Sequence, residues 1–230
     1  MKKILAASIL TLAFTLANAQ ESYTIKANIK TEGMPAEYAA YGEQEITTYV
    51  KGDKYKSEVT SMMFSSTSYF DGKTYCVLSE AMGNKSGFKA TAEEMEAEDK
   101  KNKDEKPKIE ITAEKKTIAG YECTKTIITV KDKESGKETK ITLWVTDKIK
   151  SSQKMRGNRM GFDMSEIKGA PLEMEMPMSA NGMDMKVVMT TTEVLTSAID
   201  DATFIPNTEG YKLMSYVEFK DSMKAKRGGR

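Results

Sequence analysis

A mainly β protein, one large curved antiparallel sheet or half-barrel with one or two short helices against its concave face, is what this 230-residue sequence predicts. Three observations carry that expectation. Apolar and polar residues alternate with period two through many short segments. Turn dipeptides such as Gly-Asp, Asp-Gly and Asn-Gly separate those segments. Helix-start signals are few, the clearest being Thr91-Ala92-Glu93-Glu94, a capping-box pattern. A sheet with this many strands has to curl or close to protect its edges, and a curled sheet needs its concave face filled.

In chain order, Met1 to Ala19 reads as an export signal. Lys2 and Lys3 precede an apolar run from Ile4 to Leu16, too short to span a bilayer, and Ala17-Asn18-Ala19 forms a small-residue cleavage box. The mature domain is expected over residues 20–220, with a basic flexible tail over 221–230. In Ser22 to Lys30, Tyr23, Ile25, Ala27 and Ile29 face one way and polar residues the other. Thr31 to Gly42 is a loop or short helical turn. Strands follow over Gln44 to Lys51 and Lys54 to Met62, then Phe64 to Phe70 and Lys73 to Leu78 around Asp71-Gly72. Gly83, Asn84 and Gly87 are expected to break the sheet before a helix from the Thr91 box to about Lys100. The charged stretch up to Lys108 is a solvated loop.

Further strands are expected over Lys108 to Thr112, Thr117 to Val130 and Glu138 to Thr146. The last places Trp144, the single tryptophan, opposite Ile141, Leu143 and Val145, as a packing anchor. The segment Asp147 to Lys168 joins the Thr91 helix as a candidate filling for the concave face. It also holds Arg156 and Arg159, read as surface charges. Strand continues from Thr190 to Ile199, Asp200-Asp201 marks a turn or helix cap, and a final strand runs from Tyr211 to Lys220.

The most informative stretch is Pro171 to Val194. A hairpin turning at Asn181-Gly182 pairs Met178 with Met185, Met176 with Val187, and Met174 with Met189, all on one face. The other face carries Glu173, Glu175 and Lys186. Met174, Met176, Met178, Met183, Met185, Val187 and Met189 are thereby the candidate ligand-lining residues, since unbranched thioethers make an adaptable apolar wall.

Composition removes whole classes of chemistry. The chain has no histidine, so Ser-His-Asp and Cys-His nucleophile pairs, histidine zinc sites and histidine general bases are unavailable. Removing Lys2 and Lys3 takes 35 basic residues to 33 against 34 acidic ones, a net charge of about −1 that does not ask for nucleic acid. No later stretch is apolar enough for a stable membrane span. Cys76 and Cys123 are open to a disulfide in an oxidising compartment or to remaining buried thiols.

Several short motifs, Ile118-Ala119-Gly120-Tyr121-Glu122-Cys123-Thr124-Lys125, Leu143-Trp144-Val145-Thr146, Gly169-Ala170-Pro171-Leu172 and Asp201-Ala202-Thr203-Phe204-Ile205-Pro206, are similar in order and spacing to the exported bacterial family called domain of unknown function 4412. The resemblance spans Tyr23 to Lys212. It implies a lipoprotein-carrier-like sheet and supplies no catalytic residues. The expectation is therefore an exported, periplasmic or secreted, non-enzymatic protein whose Met-lined concave face holds a lipid or other hydrophobic ligand, without a cofactor. Two alternatives stand beside it: Cu(I) or another soft metal held by Met176, Met178 and Met185, and a purely structural envelope protein.

Overall fold

In the structure, a computed structural model, residues 22–101, 107–131, 136, 138–149, 167–180 and 182–228 are described. They form one open, curved 12-stranded sheet in the order β12-β6-β5-β4-β3-β2-β1-β11-β10-β9-β8-β7. The strands are β1 Ser22–Glu32, β2 Gln44–Lys51, β3 Lys54–Ser61, β4 Phe64–Phe70, β5 Thr74–Ala81, β6 Asn84–Thr91, β7 Lys108–Ile118, β8 Tyr121–Lys131, β9 Glu138–Thr146, β10 Ala170–Ala180, β11 Met183–Leu195 and β12 Lys212–Ser215. Two meanders make the wings, β2 to β6 and β7 to β11, and the first strand is the seam between them. β1 pairs with β2 on one side and with β11 on the other, so an N-terminal segment closes contacts with one 166 residues away (Thr192 Oγ1 donates to the Lys26 carbonyl).

The expected β-rich class holds, and so does most of the strand plan. Three segments differ, each for a local reason. Asn84–Thr91 is a strand rather than a break: Met82 and Gly83 both have positive φ, the signature of a type I′ hairpin turn, and β6 pairs with β5 along its whole length. Gly87 is present because of close approach. A Cβ there would lie 2.4 Å from the Val77 carbonyl oxygen and 3.3 Å from the Leu213 side chain of β12. Second, the expected strand from Thr117 to Val130 is interrupted by a tight turn at Ala119-Gly120, also with positive φ at both residues, which ends β7 and starts β8.

Third, the expected strand from Tyr211 to Lys220 and the flexible tail after it are a short strand and a helix. β12 has four residues and lies parallel to β6. Helix α2, Tyr216–Gly228, follows at once. Its start is a capping box: Ser215 Oγ accepts from the Glu218 N–H at 3.2 Å, and Glu218 Oε2 accepts from the Ser215 N–H at 2.7 Å. The Thr91 box opens α1, Ala92–Lys101, in the same way, with Thr91 Oγ1 accepting from the Glu94 N–H and Glu94 accepting from the Thr91 N–H.

Both helices lie on the concave face at the β5-β6-β12 end, where Phe88, Ala90 and Met95 pack with Tyr75, Tyr216 and Phe219. At the other end Ile128, Ile141, Leu143 and Val145 of β8 and β9 form a second apolar cluster. The expectation of helices against the concave face is thus met at one flank. Among the described residues of the segment expected as a second filling, Ile149 and Ile167 are buried against the sheet; Met155, Arg156, Arg159, Met160, Phe162 and Met164 lie outside the described residues. The expected export signal and residues 102–106 of the charged loop lie outside them as well.

Candidate functional site: an apolar groove on the concave face

Between the two packed flanks the described residues leave a groove on the concave face. The alternation of β1 and β2 turns Ile25, Ala27 and Ile29 and then Ile46, Thr48 and Val50 inward. β3 and β4 add Val59 and Phe64, and β10 and β11 add Met174, Met176, Val187, Met189 and Thr191. Together they line a groove of about 530 Å³, within the range of small-molecule sites. Ile149 and Ile167 line it too, together with Gly169 and Ala170, where the connection from β9 enters β10. Gly169 permits that entry: with φ at +97°, its backbone lies so close to Thr146 that a Cβ would fall 2.0 Å from the Thr146 carbonyl oxygen.

The methionine hairpin has the register its sequence predicts. Met174 faces Met189, Met176 faces Val187, and Met178 faces Met185 across β10 and β11. The structure then divides the set by position. Met174, Met176, Val187 and Met189 line the groove. Met178, Met183 and Met185 continue the same hairpin beyond its lining, and Met178 and Met183 are 38% and 40% exposed. Four of the seven candidates are therefore brought together with side chains from β1 to β4 that the hairpin alone does not name. The signal for those partners is the clean alternation of β1 and β2; what sequence does not supply is that β1 pairs with β11.

Among the described lining residues none is charged. The polar groups are hydroxyls and one amide: Gln44, Thr48, Ser57, Ser66 and Thr191. Thr48 and Ser57 share a hydrogen bond of 3.1 Å, and Ser66 bonds Ser79 at 3.1 Å. Thr191 differs. Its residue is 4% exposed, and its Oγ1 is a buried side-chain oxygen with no hydrogen-bond partner among the described residues. A buried hydroxyl left unpaired costs about 1 to 3 kcal/mol relative to a satisfied one, so Thr191 lowers the stability of the groove wall.

The convex face has a different character. Lys116 lies 4.3 Å from the centroid of the Trp144 ring and pairs with Glu173, so the tryptophan anchors that face and does not enter the groove. The two cysteines are not bonded. Cys76 is buried with Tyr69 and Leu78 on β5, and Cys123 with Ile118 and Leu172 on β8, with seven strands between them in the sheet order. Neighbouring strands are about 4.8 Å apart and a disulfide needs Cα atoms within about 7 Å, which removes the disulfide reading of this pair. Burial pushes both thiols above the usual cysteine range. Asp200, one of the paired aspartates, caps a 3-10 turn over Asp201–Phe204 by accepting from the Ala202 N–H, and Asp201 bonds Lys51 and Lys54. These contacts fix the segment after β11 beneath the β2–β3 turn. They also hold the Asp201 carboxyl below the usual carboxylate range, chiefly through the Lys54 and Lys51 hydrogen bonds.

No family model and no curated protein matches this chain, so the resemblance to domain of unknown function 4412 has no family match beside it. Solved structures similar to it are distant. PNGF-II, in two crystal forms, is 18% identical at a TM-score of 0.49, over 87% and 88% of this chain. The chain spans about a third of the length of PNGF-II. An uncharacterised conserved protein from Thermus thermophilus is 7% identical at a TM-score of 0.47, covering 86% of this chain and 92% of its own. The Mycobacterium tuberculosis lipoprotein LppX is 9% identical at a TM-score of 0.35, over 77% of this chain and 88% of its own.

Proposed function

We propose that this chain is an exported, non-enzymatic binding protein that holds an elongated apolar ligand, of the lipid or acyl-chain type, in the groove formed by β1 to β4, β10 and β11. The observation that carries the reading is the groove itself: about 530 Å³, walled by aliphatic and thioether side chains, with no charge among its described lining residues. Burying apolar surface there is favourable by about 25 cal/mol per Å² and asks for no fixed ligand shape, because methionine rotamers adapt. With no carboxylate, lysine or histidine facing the groove among those residues, proton transfer to a ligand has no obvious donor, which favours binding over catalysis.

Native mass spectrometry of protein isolated from its producing cells tests this directly, together with displacement of a fluorescent fatty acid. The expected result is a bound lipid-type mass and saturable probe uptake, reduced more than tenfold by Val187→Glu, which places a charge in the apolar wall. Protein that carries nothing and takes up no probe ends the reading. A soft-metal site is the second reading, resting on Met178 facing Met185 across the ladder. Cu(I) competition against a chelator separates the two: affinity unchanged by Met178→Leu with Met185→Leu excludes it, since leucine keeps the apolar wall and removes the thioether.

A further inference from the structure

The antiparallel register brings five connections to one rim of the sheet: the segment between β1 and β2, the β3–β4, β5–β6 and β10–β11 turns, and the β8–β9 connection, whose described flanks Lys131 and Glu138 are charged of both signs. The chemistry of the first four is unusual for turns. Tyr38 and Tyr41 are 51% and 50% exposed, Met62 and Met63 are 68% and 43%, and Met82 and Met183 are 79% and 40%. At the opposite rim the described turns Gly52-Asp53, Asp71 to Lys73 and Ala119-Gly120 carry no exposed large apolar side chain, and the exposed aliphatics there, Leu195, Ile205 and Val217, stand at the end of β11, after the 3-10 turn and at the start of α2. Met82 is the sharpest case. It occupies a left-handed position of a type I′ turn, φ +49°, where Asn, Asp or Gly is favoured, and its side chain is mostly in solvent. Folding does not ask for methionine there.

We infer that this rim is a docking surface for a lipid bilayer of zwitterionic headgroups, with the methionine and tyrosine tips entering the interface. Two further observations select that partner. Behind the tips lies a belt of mixed charge, Lys30 with Glu43, Lys85 with Glu80, and Lys186 with both Glu32 and Glu175. Paired charges of both signs match a headgroup layer that also carries both, whereas an anionic surface or polyanion is met by unpaired basic clusters. Tyrosine, with an apolar body and a polar tip, fits the interfacial depth, and separate flexible methionine tips suit a fluid surface better than a rigid protein face. The groove's lining reaches the same rim at Phe64, which is both a lining residue and 37% exposed.

Flotation of the full chain with phosphatidylcholine vesicles, beside the variant Met62→Ser, Met63→Ser, Met82→Asn, tests the rim. Both proteins carry the same apolar N-terminal run, so the comparison reads the tips. Phe64 and the groove are untouched, so fatty-acid probe uptake should be unchanged and reports separately on the proposed cargo site. The wild type should float, with little change between about 0.1 and 0.5 M salt, and the variant should lose at least tenfold in partitioning. Met82→Asn alone, which gives the turn its favoured residue, should leave the thermal midpoint equal or higher while reducing flotation. The inference is overturned if the wild type does not float, if the triple variant floats equally well, or if binding needs phosphatidylglycerol and disappears with salt. A triple variant that changes only the oligomeric state assigns the rim to a protein contact and overturns it too.

Discussion

Thr191 illustrates how a single hydroxyl can separate stability from function. Its Oγ1 is buried without a partner among the described residues, in a groove whose other hydroxyls at Thr48, Ser57 and Ser66 are bonded to neighbours. Replacing it by valine removes an unsatisfied polar atom at nearly constant volume, so stability should stay equal or rise by up to about 1 kcal/mol in urea denaturation. Uptake of a fatty acid probe should be unchanged within about twofold, because the hydroxyl oxygen is enclosed and valine keeps the apolar wall. Parallel loss of stability and of all binding would mean that the hydroxyl is structural. The thiols give a second residue-scale expectation. Cys76 and Cys123 are 3% and 0% exposed, and burial raises both thiol pKa values, so the reactive thiolate is scarce as well as shielded. Iodoacetamide at about pH 8 should leave the native protein unmodified and label both cysteines after denaturation, as read by intact mass.

At the scale of elements, local chemistry decides where sequence patterns are ambiguous. The box at Ser215 and Glu218 turns a strand-like run, Tyr211 to Lys220, into a strand of four residues and then a helix. Glu218 is held below the usual carboxylate range, chiefly by the Ser215 backbone N–H, which marks the cap as formed. Glu218→Ala should fray the start of α2, visible as faster amide exchange in the first turn of α2 and not in β1 or β11. The comparable Thr91 box is legible in the sequence because polar residues surround it. Ser215-Tyr216-Val217-Glu218 is not, because tyrosine, valine and phenylalanine beside it also favour strand. Likewise the strand at Asn84–Thr91 is hidden by Gly87, whose role is to let backbone and β12 approach and not to break the ladder. The methionine hairpin, by contrast, is readable to the residue, since Asn-Gly fixes the turn and a one-residue slip would reverse every side chain. Its full meaning is not, because lining a groove depends on which distant strand lies alongside.

That distant strand makes the molecule one unit. β1 lies between β2 and β11, so among the described residues it is the strand that joins the wing of β2 to β6 with the wing of β7 to β11, and the proposed ligand groove straddles this seam. Sequence-distant pairing of this kind forms late and favours all-or-none behaviour, because neither wing buries the β1 face alone. Two optical probes weight the wings differently: Trp144 belongs to β9, while Tyr49, Tyr55, Tyr69 and Tyr75 lie on β2 to β5 and, of the β7 to β11 wing, Tyr121 alone is a tyrosine among the described residues. Tryptophan fluorescence and near-ultraviolet tyrosine dichroism should therefore give coincident urea transitions. A ligand at about a hundredfold excess over its dissociation constant should add about 2.7 kcal/mol, raising the thermal midpoint by about 5 to 10 °C for a chain of this size. If the groove spans the seam in solution, both probes must move together. A shift confined to the tryptophan signal would place the ligand on the β7 to β11 wing alone, and separate transitions without ligand would show that β1 does not couple the two halves.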